Sequence, residues 1–261
     1  MTYLDDLLAS RRAAVDRAKS GRSPGNHSAC ADRSSGRRDF ARALVGGGRL
    51  SIIAEFKRSS PSAGPIAPEA DARTIAMAYE RGGASALSVL TEPERFNGSL
   101  DDLRAARAAT SLPVLCKDFV VDDDQICEAA RSGADAILLI VAAMSPDVLR
   151  ERIMLVVGHG MTPLVEVHDD RELEVALDAR ARVIGVNNRD LRTFAVDTST
   201  ATRLRARIPQ GIVSVAESGY RTADDLAVCA RGGYDAVLIG EALMREKDPG
   251  RALAALRDGT R

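Results

Sequence analysis

Residues 51–62 combine an apolar run with polar groups that can do acid–base chemistry. The run ends in Glu55 and Lys57, and Ser59-Ser60-Pro61-Ser62 follows. Because side chains of a β-strand alternate between its two faces, Glu55 and Lys57 share one face. A carboxylate beside an ammonium is either a structural ion pair or part of a site that binds charge and moves protons. This stretch alone leaves both interpretations open.

Eight short apolar runs with strand character alternate with helical segments along the chain. They are residues 51–56, 86–90, 114–117, 136–141, 163–167, 183–186, 212–216 and 236–239. Eight strand–helix units in about 250 residues are what a (β/α)8 barrel, the TIM barrel, requires. The competing α/β fold is a doubly wound open sheet, which normally has a glycine-rich loop after its first strand. The turn at 59–62 is rich in serine rather than glycine, which favours the barrel. We expect this barrel to be one catalytic domain over residues 49–261.

Catalytic side chains of such a barrel project from the C-terminal ends of its strands and from the loops that follow. Lysines at this rim can supply positive charge or a proton, and glutamates can hold the lysines or exchange protons themselves. Polar groups that are costly to bury unpaired gather at the ends of six predicted strands, which points to a site rather than to solvated strand ends. The catalytic candidates at this rim are Glu55, Lys57, Lys117, Glu166, Asn187 and Glu217.

The last two strand endings predict a phosphate site. Ser218-Gly219 and Gly240-Glu241 place small residues where backbone N–H groups and a helix start can face an anion. Glycine is expected there because a Cβ would block close approach of the backbone to phosphate oxygens. Glu241 would point its side chain away and offer only its N–H.

Apolar residues near the rim can form a wall against which a flat aromatic group lies. The candidates are Phe96, Phe119, Leu138 and Leu191. Cys116 is expected to face away from the barrel interior because its neighbour Lys117 faces in. His168 follows the fifth strand and can line the mouth, but no partner for it is evident in the sequence.

Composition restricts the classes of partner. With 36 basic and 37 acidic residues, the net charge of −1 provides no overall field for nucleic acid or an anionic membrane. The four cysteines form no C-x-x-C pair, so neither a disulfide framework nor a metal site is expected. No apolar run reaches the roughly 20 residues of a membrane span, and the N-terminus is acidic. We expect a cytoplasmic protein with a small-molecule substrate, as a monomer or weak homodimer.

The first 48 residues are predicted to form an extension to the barrel. Leu4, Leu7, Leu8 and Val15 recur at helical spacing, which indicates an amphipathic helix over residues 3–19. Residues 21–38 are rich in Gly, Ser, Arg and Asp, the composition of a loop or mobile segment. A short helix is expected over residues 40–45.

The rim segments resemble a known family. They are 52–62 (IIAEFKRSSPS), 88–92 (SVLTE), 96–99 (FNGS), 113–119 (PVLCKDF), 164–168 (LVEVH), 184–191 (IGVNNRDL), 215–219 (VAESG) and 238–244 (LIGEALM). In this order they are similar to the indole-3-glycerol-phosphate synthase family. That resemblance implies closure of the indole ring of 1-(2-carboxyphenylamino)-1-deoxyribulose 5-phosphate, with loss of carbon dioxide and water, in tryptophan biosynthesis.

The resemblance also implies roles at the reacting centre. Lys117 matches the general acid that acts on the ketone oxygen of the substrate, and Glu166 its partner in proton transfer during dehydration. Glu55 and Lys57 match the pair on the first strand, with Lys57 also reaching toward substrate. The remaining two catalytic candidates, which orient the reacting groups, are Asn187 and Glu217.

Substrate-binding roles follow from the same motifs. Arg189 with Ser60 resembles the pocket for the anthranilate carboxylate. The residues that match the phosphate cradle are Ser218, Gly219, Gly240 and Glu241. No cofactor is needed, because attack of the electron-rich ring on a protonated carbonyl gives a cation that expels carbon dioxide without an external electron sink.

Two expectations and several alternatives accompany this interpretation. A lysine acting as acid at neutral pH is expected to have its pKa lowered by burial or by a second lysine. Ala63 stands where the family often has lysine. The alternatives are a synthase paralogue of a secondary pathway and a non-catalytic phosphosugar-binding barrel, which predicts missing charges at the rim. A phosphoribosylanthranilate isomerase type of barrel would instead carry a Cys/Asp pair.

Overall fold

The computed structural model describes residues 3–20 and 36–259, and it contains the predicted (β/α)8 barrel. Eight parallel strands close into a ring in chain order, with the last strand pairing to the first. A small antiparallel hairpin, β2 with β3, follows the first barrel strand. The strands are β1 Ser51–Phe56, β2 Ser59–Ser60, β3 Gly64–Pro65, β4 Ala86–Leu90, β5 Val114–Lys117, β6 Ala136–Ile140, β7 Thr162–Val167, β8 Val183–Asn187, β9 Val213–Glu217 and β10 Ala236–Ile239.

The helices lie between and around these strands. Side-chain oxygens cap their starts as the sequence predicts, for example Ser145, Asp169 and Thr222, each bonded to a backbone N–H three residues on. Among the described residues, no helix is long and apolar enough to cross a membrane. The helices are α1 Tyr3–Ser20, α2 Phe40–Ala43, α3 Ala72–Gly82, α4 Pro93–Phe96, α5 Leu100–Ala109, α6 Asp123–Arg131, α7 Pro146–Gly158, α8 Asp170–Asp178, α9 Ser199–Arg205, α10 Ala223–Arg231, α11 Glu241–Met244 and α12 Pro249–Asp258.

Several strand boundaries differ slightly from the prediction. β6 stops at Ile140 because residues 141–143 turn into a short 3-10 helix. β8 and β9 run one residue further, so Asn187 and Glu217 are the last residues of their strands. The β2–β3 hairpin is not predicted, because strands of two residues carry no measurable periodicity.

Alternation along the strands separates two cores. Ile53, Leu115 and Leu164 point into the barrel, while Ile52 and Ala54 pack outward against the helices. The inward apolar layer lies below the polar side chains, which come two residues later on the same faces. Cys116 belongs to the outer core, so its predicted outward orientation is confirmed.

Helix α1 covers the C-terminal mouth of the barrel. Leu4, Leu7 and Leu8 are buried in the same apolar cluster as Phe119 and residues inside the barrel. Arg11 Nε and Nη2 donate to the two carboxylate oxygens of Asp118 at 2.8 and 2.7 Å, and this pair locks the helix onto the loop after β5. The amphipathic helix is therefore confirmed.

The opposite end of the barrel is closed by α2. Phe40 and Leu44 are fully buried in the interior cluster. Arg38 N donates to Asp135 Oδ1 at 2.8 Å and its guanidinium donates to Leu112 O, both just before barrel strands begin. Residues 37–38 are a loop, as predicted, but their contacts anchor them to the barrel. Residues 21–35 of the predicted segment lie outside the described residues.

Candidate active site

A cleft with a volume of ≈ 1100 Å³, including its open mouth, lies at the C-terminal end of the barrel. Strand ends form its floor, and the loops that follow them form its walls. Each residue predicted for the site lines this cleft. These residues are Glu55, Lys57, Ser60, Phe96, Lys117, Phe119, Leu138, Glu166, Asn187, Arg189, Leu191, Glu217, Ser218, Gly219, Gly240 and Glu241.

An ionic cluster occupies the floor of the cleft. Lys117 Nζ from β5 lies 2.6 Å from Glu217 Oε2 on β9 and 3.3 Å from Glu166 Oε2 on β7. Both carboxylate side chains are only 2% exposed. Contacts among three strands therefore hold one ammonium between two buried carboxylates.

The pair predicted on the first strand is present beside this cluster. Lys57 Nζ donates to Glu55 Oε1 at 2.8 Å, and Ser88 Oγ donates to Glu55 Oε2 at 3.2 Å. Burial alone would raise the pKa of Glu55, but the charges of Lys57 and Lys117 outweigh it and lower that pKa below its ordinary value. Glu55 is therefore an anion that fixes Lys57 at the rim.

The protonation of Lys117 differs from the sequence prediction. Burial alone would lower its pKa, but the carboxylates of Glu217, Glu166 and Glu55 outweigh burial and raise the pKa above the ordinary value. The expectation of a lysine with a lowered pKa is wrong for Lys117. A second lysine at the rim cannot lower it when three carboxylates surround it more closely.

Glu217 and Glu166 respond to this environment in opposite directions. Burial, together with the charges of Glu166 and Glu55, raises the pKa of Glu217 to about 7. Burial acts on Glu166 too, but Lys117 and His168 outweigh it and hold the Glu166 pKa well below its usual range. Two buried carboxyl groups that share one ammonium thus have pKa values shifted in opposite directions.

His168 is a part of the site whose partners the sequence reasoning missed. Its Nε2 lies 3.3 Å from Glu166 Oε1, and its Nδ1 lies 2.9 Å from Glu172 Oε2 in the first turn of α8. The spacing of four residues between His168 and Glu172 is the signal that could have revealed this contact.

Gly185 is a second missed residue. A Cβ at this position of β8 would lie 2.1 Å from Glu217 Oε1 and 3.3 Å from Leu164 Cδ1. Glycine is therefore required for the carboxyl of Glu217 to occupy its place beside Lys117. No local pattern in the sequence indicates this requirement for glycine, because the clash is with a residue on the adjacent strand.

Replacing Gly185 with alanine is expected to lower kcat about a hundredfold, the cost of displacing a catalytic group by about 1 Å. The new methyl group would push Glu217 away from Lys117. Steady-state kinetics, with circular dichroism to verify folding, measures the effect. Gly158→Ala is the matched control, because nothing lies within 4 Å of a Cβ there. A normal kcat for Gly185→Ala would refute the requirement.

The predicted phosphate cradle has backbone geometry suited to an anion. Ser218 and Gly219 are both left-handed, with φ of 64° and 91°, and Gly240 precedes the first turn of α11. Glu241 bonds to Arg245 at 3.0 Å through its side chain, as expected for a residue that offers only its N–H. Arg221 adds an unpredicted guanidinium to this side of the cleft.

Gly240 and Gly219 also have a structural role within the protein. A Cβ on Gly240 would lie 2.5 Å from Glu55 Oε1, and one on Gly219 would lie 2.9 Å from Val196 Cγ1. The absence of a Cβ at both positions thus leaves room for neighbouring protein atoms, whether or not a phosphate is bound. At Gly240 this room preserves the Glu55–Lys57 pair.

The residues of the predicted apolar wall also line the cleft. The rings of Phe96 and Phe119 are 6.2 Å apart between centroids and tilted by 46°. Leu7 of α1 and Phe194 join the wall, although the sequence did not single them out. Because Leu7 comes from the N-terminal helix, docking of that helix completes the apolar side of the cleft.

The candidates for binding the substrate carboxylate, Arg189 and Ser60, also line the cleft. Arg189 follows β8, and its backbone N–H donates to Asn187 Oδ1 at 3.0 Å while Nη1 donates to Phe194 O at 3.1 Å. Ser60 is buried in the β2–β3 hairpin that borders the cleft. A cation and a hydroxyl are therefore among the groups that line the cleft.

Comparison with known proteins agrees with this arrangement. A family model described as indole-3-glycerol phosphate synthase matches residues 4–256. The chain belongs to the indole-3-glycerol phosphate synthase family. The resemblance inferred from the rim motifs is thereby confirmed, and the match extends to the N-terminal helix.

Individual relatives of the family are similar over most of their length. The chain is 48% identical to the indole-3-glycerol phosphate synthase of Chlorobium phaeovibrioides, over 93% of this chain and 95% of that protein. It is 53% identical to indole-3-glycerol phosphate synthase 2 of Streptomyces coelicolor, over 84% of each. A solved structure of thiamine phosphate pyrophosphorylase from Pyrococcus furiosus has a TM-score of 0.62 at 16% identity, covering 81% and 95% of the two chains. That likeness concerns the fold alone.

Proposed function

We propose that this protein is an indole-3-glycerol phosphate synthase. It closes the ring of 1-(2-carboxyphenylamino)-1-deoxyribulose 5-phosphate and releases carbon dioxide and water. The observation that carries the proposal is the cluster in which Lys117 lies 2.6 Å from Glu217 and 3.3 Å from Glu166 at the barrel mouth. Ring closure with dehydration needs a proton donor and a base side by side, and this cluster supplies both.

Condensation is the step assigned to Lys117. The ring carbon that carries the carboxylate attacks the ketone carbon, and the ketone oxygen takes a proton from Lys117 Nζ. The ring is then a cation, so the bond to the carboxylate breaks and its electron pair restores the ring. Because the raised pKa of Lys117 keeps it fully protonated, the acid is always charged, and the alkoxide that forms is basic enough to take its proton.

Glu217 is suited to restore that proton. It contacts Lys117 directly, and its raised pKa favours the protonated form more than that of an ordinary carboxyl group does. Its Oε1 is buried and accepts no hydrogen bond from any residue that the structure describes. Proton exchange through Glu217 thus removes the need for a lysine with a lowered pKa.

Dehydration is assigned to Glu166. The hydroxyl on the former ketone carbon is protonated by a lysine and leaves as water. The neighbouring carbon loses a proton, which completes the indole double bond. Glu166 stays ionised in this environment and can receive that proton. Asn187 also stabilises the charge of Glu166.

Substrate placement follows from the sides of the cleft. Arg189 and Ser60 would bind the anthranilate carboxylate, and the cradle of Ser218, Gly219, Gly240 and Glu241 would bind the phosphate. The apolar wall would hold the aromatic ring between them. Lys57, held by Glu55, would contact the chain that joins the two ends.

The alternative of a non-catalytic phosphosugar-binding barrel predicts missing charges at the rim. Each predicted charged residue is present in the cleft, and the two lysines contact three glutamates. A Cys/Asp pair of the isomerase type is not favoured either, because no cysteine is among the described residues that line the cleft. The observations therefore favour catalysis of ring closure.

A fluorescence assay tests the proposed function. Purified protein is mixed with the carboxyphenylamino-deoxyribulose phosphate, and formation of the indole product is followed by its fluorescence. We expect steady turnover. No signal at micromolar enzyme would reject the proposal.

A further inference from the structure

His168 is buried between two carboxylates behind the catalytic cluster. It follows β7, and its side chain is 12% exposed. Glu166 of the cluster faces Nε2 at 3.3 Å, an ion-pair contact without hydrogen-bond geometry, and Glu172 of α8 is hydrogen-bonded to Nδ1 at 2.9 Å. Glu172 Oε2 also accepts the backbone N–H of His168 at 2.8 Å, which fixes the carboxylate against the imidazole.

The charges around His168 favour its cationic form. Burial alone would lower the pKa of His168, but contacts with Glu166 and Glu172 outweigh it and raise the pKa to about 10. Two cations act on the partners of His168: Lys117 from β5 contacts Glu166, and Arg192 after β8 interacts with Glu172. Since the pKa lies above neutrality, the imidazole carries a proton on both nitrogens at pH 7.

This placement distinguishes the two carboxyl groups of the cluster. Glu166 has one cation at each oxygen, Lys117 at Oε2 and His168 at Oε1. Glu217 has Lys117 at Oε2, while Oε1 accepts no hydrogen bond among the described residues. The second cation is one difference between the surroundings of two carboxyl groups that share an ammonium.

We propose that His168 is a positioning residue, held as an imidazolium by Glu172, which orients Glu166 and keeps it ionised as the base for dehydration. This inference rests on the proposed function. It assigns the exchangeable proton of the cluster to Glu217 and the permanent negative charge to Glu166. His168 acts only through Glu166, so its loss changes the reaction without removing a contact to substrate.

The pH dependence of kcat tests the proposal. Asparagine in His168→Asn can donate a hydrogen bond but cannot be charged, so the pKa of Glu166 rises. We expect kcat to fall about tenfold at pH 6, with KM within about twofold. The deficit should narrow to about threefold or less by pH 8.5, because higher pH deprotonates Glu166.

Control variants separate this effect from a loss of structure. His159→Asn changes a histidine at the end of α7, outside the cleft, and should leave the pH profile unchanged. Glu172→Gln keeps a hydrogen-bond acceptor for His168 but removes the charge that favours the imidazolium, and should give a smaller deficit of the same pH dependence. A deficit of His168→Asn that is equal at all pH values would overturn the positioning role.

The charge of His168 can be measured without turnover. In 15N-histidine NMR spectra of the wild-type protein, we expect an imidazolium signal at pH 8 that is missing from His168→Asn. A neutral His168 at pH 7 would overturn the inference. Lack of turnover by the wild-type protein would overturn the proposed function, and with it this role, even if the imidazolium signal is present.

Discussion

Replacing Lys117 with methionine is expected to lower kcat by about three orders of magnitude, while substrate Kd stays within about threefold. Methionine keeps much of the apolar stem but removes the ammonium that lies 2.6 Å from Glu217 and 3.3 Å from Glu166. Condensation then lacks its acid. Stopped-flow fluorescence measures kcat, and calorimetric titration with substrate measures Kd.

Two further lysine variants make the Lys117 result specific. Lys57→Met removes the other rim ammonium, and we expect a loss in kcat at least about tenfold smaller than for Lys117→Met. Lys247→Met changes an exposed lysine outside the cleft and should have no effect. Near-normal turnover by Lys117→Met, or a larger loss for Lys57→Met, would refute Lys117 as the acid.

Replacing Glu166 with glutamine should lower the rate of indole formation about a hundredfold or more, because glutamine cannot take the proton released in dehydration. Its size and its contact with Lys117 are nearly retained. Condensation and decarboxylation depend on Lys117, so they should be much less affected. In a single turnover, carbon dioxide should therefore appear before indole fluorescence.

The order of the two products decides this prediction. Parallel measurement of carbon dioxide and fluorescence after rapid mixing gives the delay directly. Glu246→Gln, an exposed residue outside the cleft, is the matched control and should release both products together. Equal slowing of carbon dioxide and indole in Glu166→Gln would contradict a role confined to dehydration.

The barrel and the placement of the site could be predicted from the sequence because both depend on local patterns. Period-two alternation within each short run determines which face is buried, and the polar residue at each run's end must then lie at one rim. Glu55, Lys57 and Lys117 are found in the cleft for this reason. The family could be identified from the motifs, because their residues are specific in type and order.

The protonation of the cluster could not be predicted, because it depends on distances between strands. Counting rim lysines suggested a lowered pKa for Lys117, whereas three nearby carboxylates raise it. The need for Gly185 is equally non-local, since its clash is with Glu217 of the next strand. His168 lies between these cases: its two partners are only two and four residues away in sequence, but the distances that bring both carboxylates to the imidazole are seen only in the structure.

Docking of the N-terminal helix is a third case. The amphipathic pattern predicts α1 but does not say what its apolar face covers. The contact between Arg11 and Asp118 joins residues 107 positions apart, and Leu7 completes the apolar wall of the cleft. The hairpin of two-residue strands that contains Ser60 could not be predicted either, because such short strands show no periodicity.

The ratio of carbon dioxide to indole product tests whether ring closure takes place at the cluster of Lys117, Glu166 and Glu217. Substrate labelled with 13C in its carboxylate is incubated with the wild-type protein, and labelled carbon dioxide and indole fluorescence are measured together. We predict one carbon dioxide per indole for the wild type and neither product for Lys117→Met on the same timescale. Absence of both products with the wild type, or their undiminished formation by Lys117→Met, would contradict ring closure at this cluster.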